Sequence, residues 1–392
     1  MRLEGRYLPR WIELQDEVGE RRRVLDLLGA EQAEHADMIL RDGRAQYAAF
    51  LGDEATSFSA ERLSTTAPDP STALVARDAI EAIVEASRGH RVVMLNEGHV
   101  SSRHRALLAR LIRALDAEGF THLAAEAFSE AVAPLKAGDP LDFSHGWYVR
   151  DPVFAEAARE ALDLGWGLVP YEQRQDQRSQ APGRSDAAIV LREQVQADNL
   201  GAALAADPDM RVLVFVGYGH LREVGAPFGA RFKHDTGIDP LTVGQAGVGA
   251  FGPRVEDAPP VTALLTRFKP ERPVVLLKPG EAPASAATDG DLTSEDTDLI
   301  VLHPALADVD GRPHWLAGDP ARRRLALSVP AGGGLRLVQA VHAADPDPAI
   351  PADQYLIPEA AGQAVLWLRP GAYRLRLETT EGFVPLGERT VT

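Results

Sequence analysis

The feature that most constrains this chain is an alternation running from residue 73 to residue 303, in which short apolar runs are separated by amphipathic stretches of helical period. RVVMLNEGH, THLAAEAF, GLVPYE and MRVLVFVGYGH read as strands, with IDPLTVGQ, RPVVLLKP and DTDLIVLHP as further ones. Between them, ALVARDAIEAIVEASRG, SSRHRALLARLIRALDAEGF, DPVFAEAAREALDLGW and SDAAIVLREQVQADNLGAALAADPD read as helices, and 222–236 as a shorter helix or loop. Ser101 or Ser102 suits the N-cap of the second helix and Gly119 its stop, while Asp151 followed by Pro152 opens the third. Strands alternating with helices predict an α/β fold, a largely parallel sheet flanked by helices on both faces.

Two flanking regions have a different texture. Residues 9–50 carry apolar stripes (Trp11, Ile12, Leu14 and Val18, then Val24, Leu25, Leu27 and Leu28) and read as helices packing on the main domain. After about 318, RRRLALSVP, LRLVQAVHA, GQAVLWLRP, GAYRLRLETTEG and GERTVT alternate apolar and polar residues between turns. They predict a small all-β, Ig-like sandwich with Tyr373, Leu375 and Leu377 facing inward and Arg374 and Arg376 outward. The expected organisation is an N-terminal helical segment (1–65), an α/β domain (70–318) and a C-terminal β module (319–392). The stretches 56–72 and 284–298 read as a linker and a solvated acidic loop.

Composition narrows the function. At 392 residues with 45% hydrophobic residues, the chain can bury a sizeable core. A net charge of −16 disfavours a nucleic-acid partner and suits a small-molecule or peptide substrate, or a metal ion. With no cysteine, disulfides, thiolate metal sites and a cysteine nucleophile are excluded. No apolar run is long enough for a membrane span, and the opening MRLEGRYLPRWIELQDEVGERRR lacks the order of a secretion signal. The expected compartment is the cytoplasm, or the periplasm if a leader has been removed.

The strand ends carry the chemistry. In a parallel sheet the carboxyl ends gather along one edge, where ligand crevices of open α/β folds lie. Glu97 and His99 end the first strong strand, Glu126 the next, Glu172 the third and His220 the fourth, with Gln245 and His303 as additions. An acid ending a buried strand must be paired, because a lone buried charge costs several kcal/mol. Arg103 and His104 fall in the first helical turn after His99. Arg192, Gln196 and Asn199 share one helix face at i, i+4, i+7. Tyr148 and Arg150 precede a helix, and Tyr218 sits two residues before His220. The expected catalytic set is Glu97, His99, Glu126 and His220, with Arg103, His104, Tyr148, Glu172, Arg192, Asn199, Tyr218 and Gln245 on the substrate.

The ordered series NEGH, SSRHR, EAF, YE, REQVQADN and GYGHL resembles the erythromycin-esterase/ChaN-like superfamily, to which the Tiki and TraB proteins are related. The resemblance covers roughly 75–305. It matches Glu97 and His99 to the first acid–histidine motif, Glu126 to the second-strand acid, and His220 to the late Gly-x-Gly-His element. Arg103 or His104 matches the basic residue that follows the first motif. Esterase-like members imply ester hydrolysis by a histidine-activated water, Tiki-like members a divalent-metal protease, and ChaN-like members haem binding. Asn96 stands where glycine is usual, and the Glu-x-His gap is closer to ChaN than to the esterases.

These residues support several chemistries. His99 or His220 can act as general base on water, with Glu97 and Glu126 orienting the imidazole. Arg103 and its helix N-terminus would stabilise an oxyanion, worth ~3 kcal/mol per donor. The same four residues, Glu97, His99, Glu126 and His220, offer ligands for Zn or Mn. Tyr148, Tyr171, Tyr218, His99 and His104 offer ligands for haem iron. GVGAFG at 247–252 has dinucleotide-motif spacing, but PRVEDAPP follows it and cannot open the required helix. No Gly-x-Ser-x-Gly elbow is present.

Overall fold

A computed structural model describes residues 5–28, 33–54, 56–57, 69–178, 185–223, 225–245, 259–283, 297–330, 332–358 and 361–392. The dinucleotide-like stretch 247–252 and the acidic run 284–296 lie outside the described residues.

In chain order the helices are α1 (Leu8–Gln15), α2 (Glu17–Leu28), α3 (Ala33–Phe50), α4 (Ala79–Ser87), α5 (Ser102–Asp116), α6 (Pro152–Asp163), α7 (Asp186–Ala206), α8 (Phe228–Thr236), α9 (Pro259–Phe268) and α10 (His314–Ala317). The strands of the large sheet are β1 (Val75–Asp78), β2 (Val92–Glu97), β3 (His122–Ala125), β4 (Gly167–Pro170), β5 (Val212–Gly217), β6 (Leu241–Gly244), β7 (Val274–Leu277) and β8 (Leu299–Leu302).

They form one eight-stranded sheet in the order β1-β7-β8-β6-β2-β5-β3-β4. From β8 to β4 every pairing is parallel, and β7 runs against its neighbours β8 and β1. All six residues of β2 and of β5 are buried, as strands covered on both faces must be. Alternation then sorts their side chains. Val93, Leu95, Leu213 and Phe215 pack with Leu108, Ile112 and Phe154 of α5 and α6. Met94, Val214 and Val216 pack with Leu200, Leu204, Phe228 and Phe232 of α7 and α8.

One helix of the sequence reading divides. Val75–Asp78 is an edge strand antiparallel to β7, and the helix begins only at Ala79. Asp78 closes the strand and caps the helix, accepting from Ile80 N at 2.9 Å and Glu81 N at 3.2 Å. The short 3-10 turn Tyr148–Arg150 ends at Asp151, which caps α6 by accepting from Val153 N at 2.8 Å.

The C-terminal region is all-β. β9 (Asp308–Val309) and β10 (Arg312–Pro313) form a small ribbon. β11 (Arg323–Ser328) pairs with β14 (Gln363–Leu368). β12 (Arg336–His342), β13 (Asp353–Ile357), β15 (Gly371–Glu378) and β16 (Phe383–Val391) form an antiparallel sheet in the order β13-β12-β15-β16. β13 was not visible in the sequence pattern. Tyr373, Leu375 and Leu377 enter the core as the alternation requires. Arg376 does not face solvent: it lies 4.0 Å from the Phe383 ring centroid and donates to Gln339 Oε1 at 2.6 Å.

The N-terminal helices pack chiefly on this β region and on the loop before α6. Tyr7, Leu8, Trp11, Leu14, Tyr47 and Phe50 share a cluster with Leu337, flanked by Phe143 and Tyr148. Glu378 of β15 accepts from Tyr7 N at 3.0 Å and Leu8 N at 2.9 Å, capping α1 from outside. Of the first apolar stripe, Trp11 and Leu14 are buried while Ile12 and Val18 face solvent.

Candidate functional site

The site lies at the carboxyl ends of β2, β5, β3 and β4, which are neighbours in the sheet. β2 ends at Glu97, β3 is followed by Glu126 and β4 by Glu172, while β5 leads through Gly217 into a 3-10 turn ending at His220.

Two imidazoles are each held by a carboxylate. His99 Nδ1 meets Glu97 Oε1 at 3.1 Å. Glu97 is in turn gripped by the fully buried Arg105, through Nε at 2.7 Å and Nη2 at 3.2 Å. Arg105 also donates to Asp151 Oδ2 at 2.6 Å and to the His99 carbonyl at 2.8 Å. The His99 ring stacks on Tyr148, with centroids 4.4 Å apart and planes 9° from parallel. In the second pair, His220 Nδ1 meets Glu193 Oε1 at 2.6 Å, and the other Glu193 oxygen accepts from Phe228 N at the start of α8.

Glu126 stands between them. Its Oε2 accepts from Gly217 N at 2.7 Å and its Oε1 from Arg192 Nη2 at 2.5 Å, with His220 Nε2 3.6 Å away. Arg192 reaches from α7 and also binds Glu172, which Gln196 touches at 3.0 Å. Gly217 lets the ring of His99 approach. A Cβ there would lie 2.8 Å from His99 Nε2 and 3.1 Å from Glu126 Oε2. Both groups therefore border the same small space above β5.

The electrostatics separate the groups. Burial opposes ionisation of Glu126, yet the charges of His220, His99 and Arg192 and the Gly217 N–H hold its pKa down, to about 2. Glu97 is also held below the carboxylate range: burial opposes this, and Arg105 and the His99 bond overrule it. For His220, burial favours the neutral ring and Arg192 Nη1, 3.3 Å from Nε2, does too. The hydrogen bond that Nδ1–H donates to Glu193 and the charge of Glu126 outweigh both, and its pKa is raised. Burial beside Glu126 and Glu97 pushes Tyr148 well up, so it stays a phenol.

Of the residues singled out in the sequence, Glu97, His99, Tyr148, Glu126, Glu172, Arg192 and His220 are brought together. Asn199 lies one layer out, bonding the Tyr171 and Glu172 carbonyls at 3.2 and 3.3 Å. Three others belong to a separate buried cluster at the carboxyl ends of β6 and β8. Arg103 donates to Pro304 O at 3.3 Å. His104 accepts from Gly98 N at 2.9 Å and sits 5.1 Å from the ring of His303. Gln245 binds the Asn96 carbonyl at 2.6 Å and His303 Nε2 at 3.0 Å. The side chain of Tyr218 lies outside the described residues. Arg105, Asp151, Glu193 and Gly217 carry the geometry without having been assigned a site role from the sequence. Arg105 stands in the quoted SSRHR, and Glu193 beside Arg192, but only the fold shows which way each points.

The donor set does not fit Zn or Mn. Guanidinium groups already occupy Glu97 and Glu126, and among the described residues no group of three or more His, Asp or Glu side chains is placed to hold a metal ion. Nor does it fit haem: Tyr171 is buried against Phe228 on one face of the sheet, and His104 is buried on α5 across from it.

No family model matches the chain, and no curated protein matches it. Solved structures similar to it include the type III effector HopBA1, at 14% identity and TM-score 0.31, covering 46% of this chain and 89% of that one. Another is RRSP, a MARTX toxin effector domain from Vibrio vulnificus CMCP6, at 14% identity and TM-score 0.33, covering 56% of this chain and 45% of that one. A third, described as bacterial protein toxins, stands at 13% identity and TM-score 0.32, covering 56% and 46%. Similarity at these TM-scores carries no argument about this chain's activity.

Proposed function

We propose that the chain is a hydrolase that adds water across an ester or amide bond in the crevice around Glu126. One observation carries this reading: each of two imidazoles gives Nδ1 to its own carboxylate, leaving Nε2 at the edge of Glu126. A carboxylate on Nδ1 fixes the tautomer and turns Nε2 into a directed proton acceptor or donor.

The two rings take different roles. His99, a quarter exposed and stacked on Tyr148, serves as general base, removing a proton from water through Nε2. The resulting hydroxide attacks the carbonyl carbon. His220, whose proton is held by Glu193 and Glu126, serves as general acid and protonates the leaving oxygen or nitrogen through Nε2. The ionised Glu126 stabilises the cationic rings, and Arg192 offers positive charge at the rim. Glu97, Arg105 and Asp151 are positioning residues. The esterase-like branch of the resemblance to the erythromycin-esterase/ChaN-like group supports the same reading.

The test is a panel of chromogenic esters and anilides assayed with wild type, His99→Ala and His220→Ala. On any substrate the wild type cleaves, each variant is expected to lose about 10²- to 10⁴-fold in kcat, the usual worth of a general acid or base. Full turnover in both variants would overturn the assignment.

A further inference from the structure

Away from the crevice, an open cavity of about 390 Å³, its solvent mouth included, lies where α3, the first turns of α5 and α6, and the β region meet. Its wall is largely apolar, with Phe50, Val100, Val153, Pro313 and Leu316 among its residues. Three carboxylates also face it, and they are not alike. Asp151 has Arg105 at 2.6 Å, and Asp353 has Arg312 at 2.7 Å. Glu54 has no cation in contact among the described residues. It receives a single hydrogen bond, from Trp315 Nε1 to Oε1 at 2.8 Å.

An ionised carboxylate in an apolar wall needs a counter-charge, and at Glu97 and Glu156 the protein supplies one. Glu97 has Arg105, and Glu156 has His342 at 2.7 Å and Arg369 at 3.2 Å. At Glu54 no cation among the described residues is in contact, the charge of Arg103 acting from farther off, while the space beside it is open.

We propose that this cavity is a binding site for a small organic monocation, an alkylammonium whose N–H groups bond the Glu54 carboxylate and whose hydrocarbon chain lies against Val100, Pro313 and Leu316. An anion is disfavoured, because Arg312 is committed to Asp353 and to the Val365 carbonyl at 3.0 Å. The cavity shares Asp151 with the support of His99, but the cation is held by Glu54, whose hydrogen bond comes from Trp315 and not from either imidazole. Its pH dependence follows from Glu54 itself. Burial, with a smaller push from the charge of Asp308, raises its pKa to about 7, against the opposing charge of Arg103 and the Trp315 bond. The cation binds the ionised form, so affinity falls as pH drops through that value.

The test titrates the full chain with n-butylammonium chloride, with n-butanol as the neutral isostere and KCl as the ionic-strength control. Tryptophan fluorescence and Tm are the readouts. Saturable binding at pH 8 is expected for n-butylammonium alone, with a rise in Tm. Binding should weaken about tenfold at pH 6, from the ionised fraction of a group titrating near 7, and at least tenfold in Glu54→Gln. No saturable response overturns the proposal, as does equal binding of n-butanol, pH-independent affinity or an unchanged Glu54→Gln. Should Glu54→Gln fail to fold, the pH series and the neutral isostere on the wild type decide the matter.

Discussion

At the scale of single residues, the site depends on one missing side chain. Gly217 has ordinary extended backbone, φ −61 and ψ 147, so alanine meets no conformational penalty there. Its Cβ would nevertheless lie 2.7 Å from His99 Cε1, well inside contact distance. Gly217→Ala is therefore expected to displace the ring from Tyr148 and lower kcat at least tenfold, while Tm moves by only a few degrees. Parallel measurement of kcat and Tm checks this, and a large Tm loss with kcat intact would reverse it. His220 gives a second prediction. Its hydrogen bond to Glu193 raises its pKa, so the alkaline limb of the rate profile belongs to loss of the imidazolium proton. Glu193→Gln removes a proton-holding partner and should move that limb to lower pH. The acids and imidazoles at strand ends were legible in the sequence, because charge that terminates a buried strand stands out. Gly217 was not, since nothing in GYGH says that a ring from another strand lies against the glycine before it.

At the scale of elements, the first turns of α5 hold the base in place. Arg105 is completely buried between Glu97 of β2 and Asp151, the cap of α6, and Ser102 donates to the same Asp151 oxygen at 2.6 Å. One guanidinium thus ties a strand end to the starts of two helices. Arg105→Met would leave two buried carboxylates without a cation, which costs about 3–5 kcal/mol; denaturant unfolding measures it. Arg105→Lys keeps the charge but loses the forked geometry, so it should retain more stability than Arg105→Met while kcat still falls. The sequence placed Arg103 and His104 in the site because they follow His99 most closely. The helix turns them instead toward β8, and the residue one step later, on a different face, points back to Glu97. Sequence proximity cannot resolve a rotation of about 100° per residue when the start angle of the helix is unknown. The same limit explains β1: four half-exposed residues ahead of a good helix blend into its pattern, and only pairing with β7 makes them a strand.

At the scale of the whole molecule, the β region is clasped to α6 by charge. Glu156 on α6 accepts from His342 and Arg369, and Arg369 also approaches Glu160 and Asp163 at 3.6 Å. Burial opposes ionisation of Glu156, but these partners hold it well below the carboxylate range. A carboxylate with a depressed folded pKa adds stability that is present above its unfolded value and lost as pH falls toward the folded one. For Glu126 that window runs from 4.5 down to about 2, and Glu156 acts in the same direction. Tm should fall steeply below pH 4.5, and less steeply in Glu126→Gln, by calorimetry across pH 5 to 3. The parallel sheet and its helices were legible because both periods were strong. The attachment of the N-terminal helices to the β region was not, because it rests on long-range pairs such as Glu378 with Tyr7 and Leu8 that no local pattern announces. The central claim is that His99 and His220 divide the proton transfers around Glu126. Its most direct test is the pH dependence of kcat/KM for one cleaved substrate in wild type, His99→Ala and His220→Ala. The account predicts a bell for wild type, a loss of about 10²-fold or more at every pH in the first variant, and loss of the alkaline limb in the second. The same bell in all three proteins would contradict it.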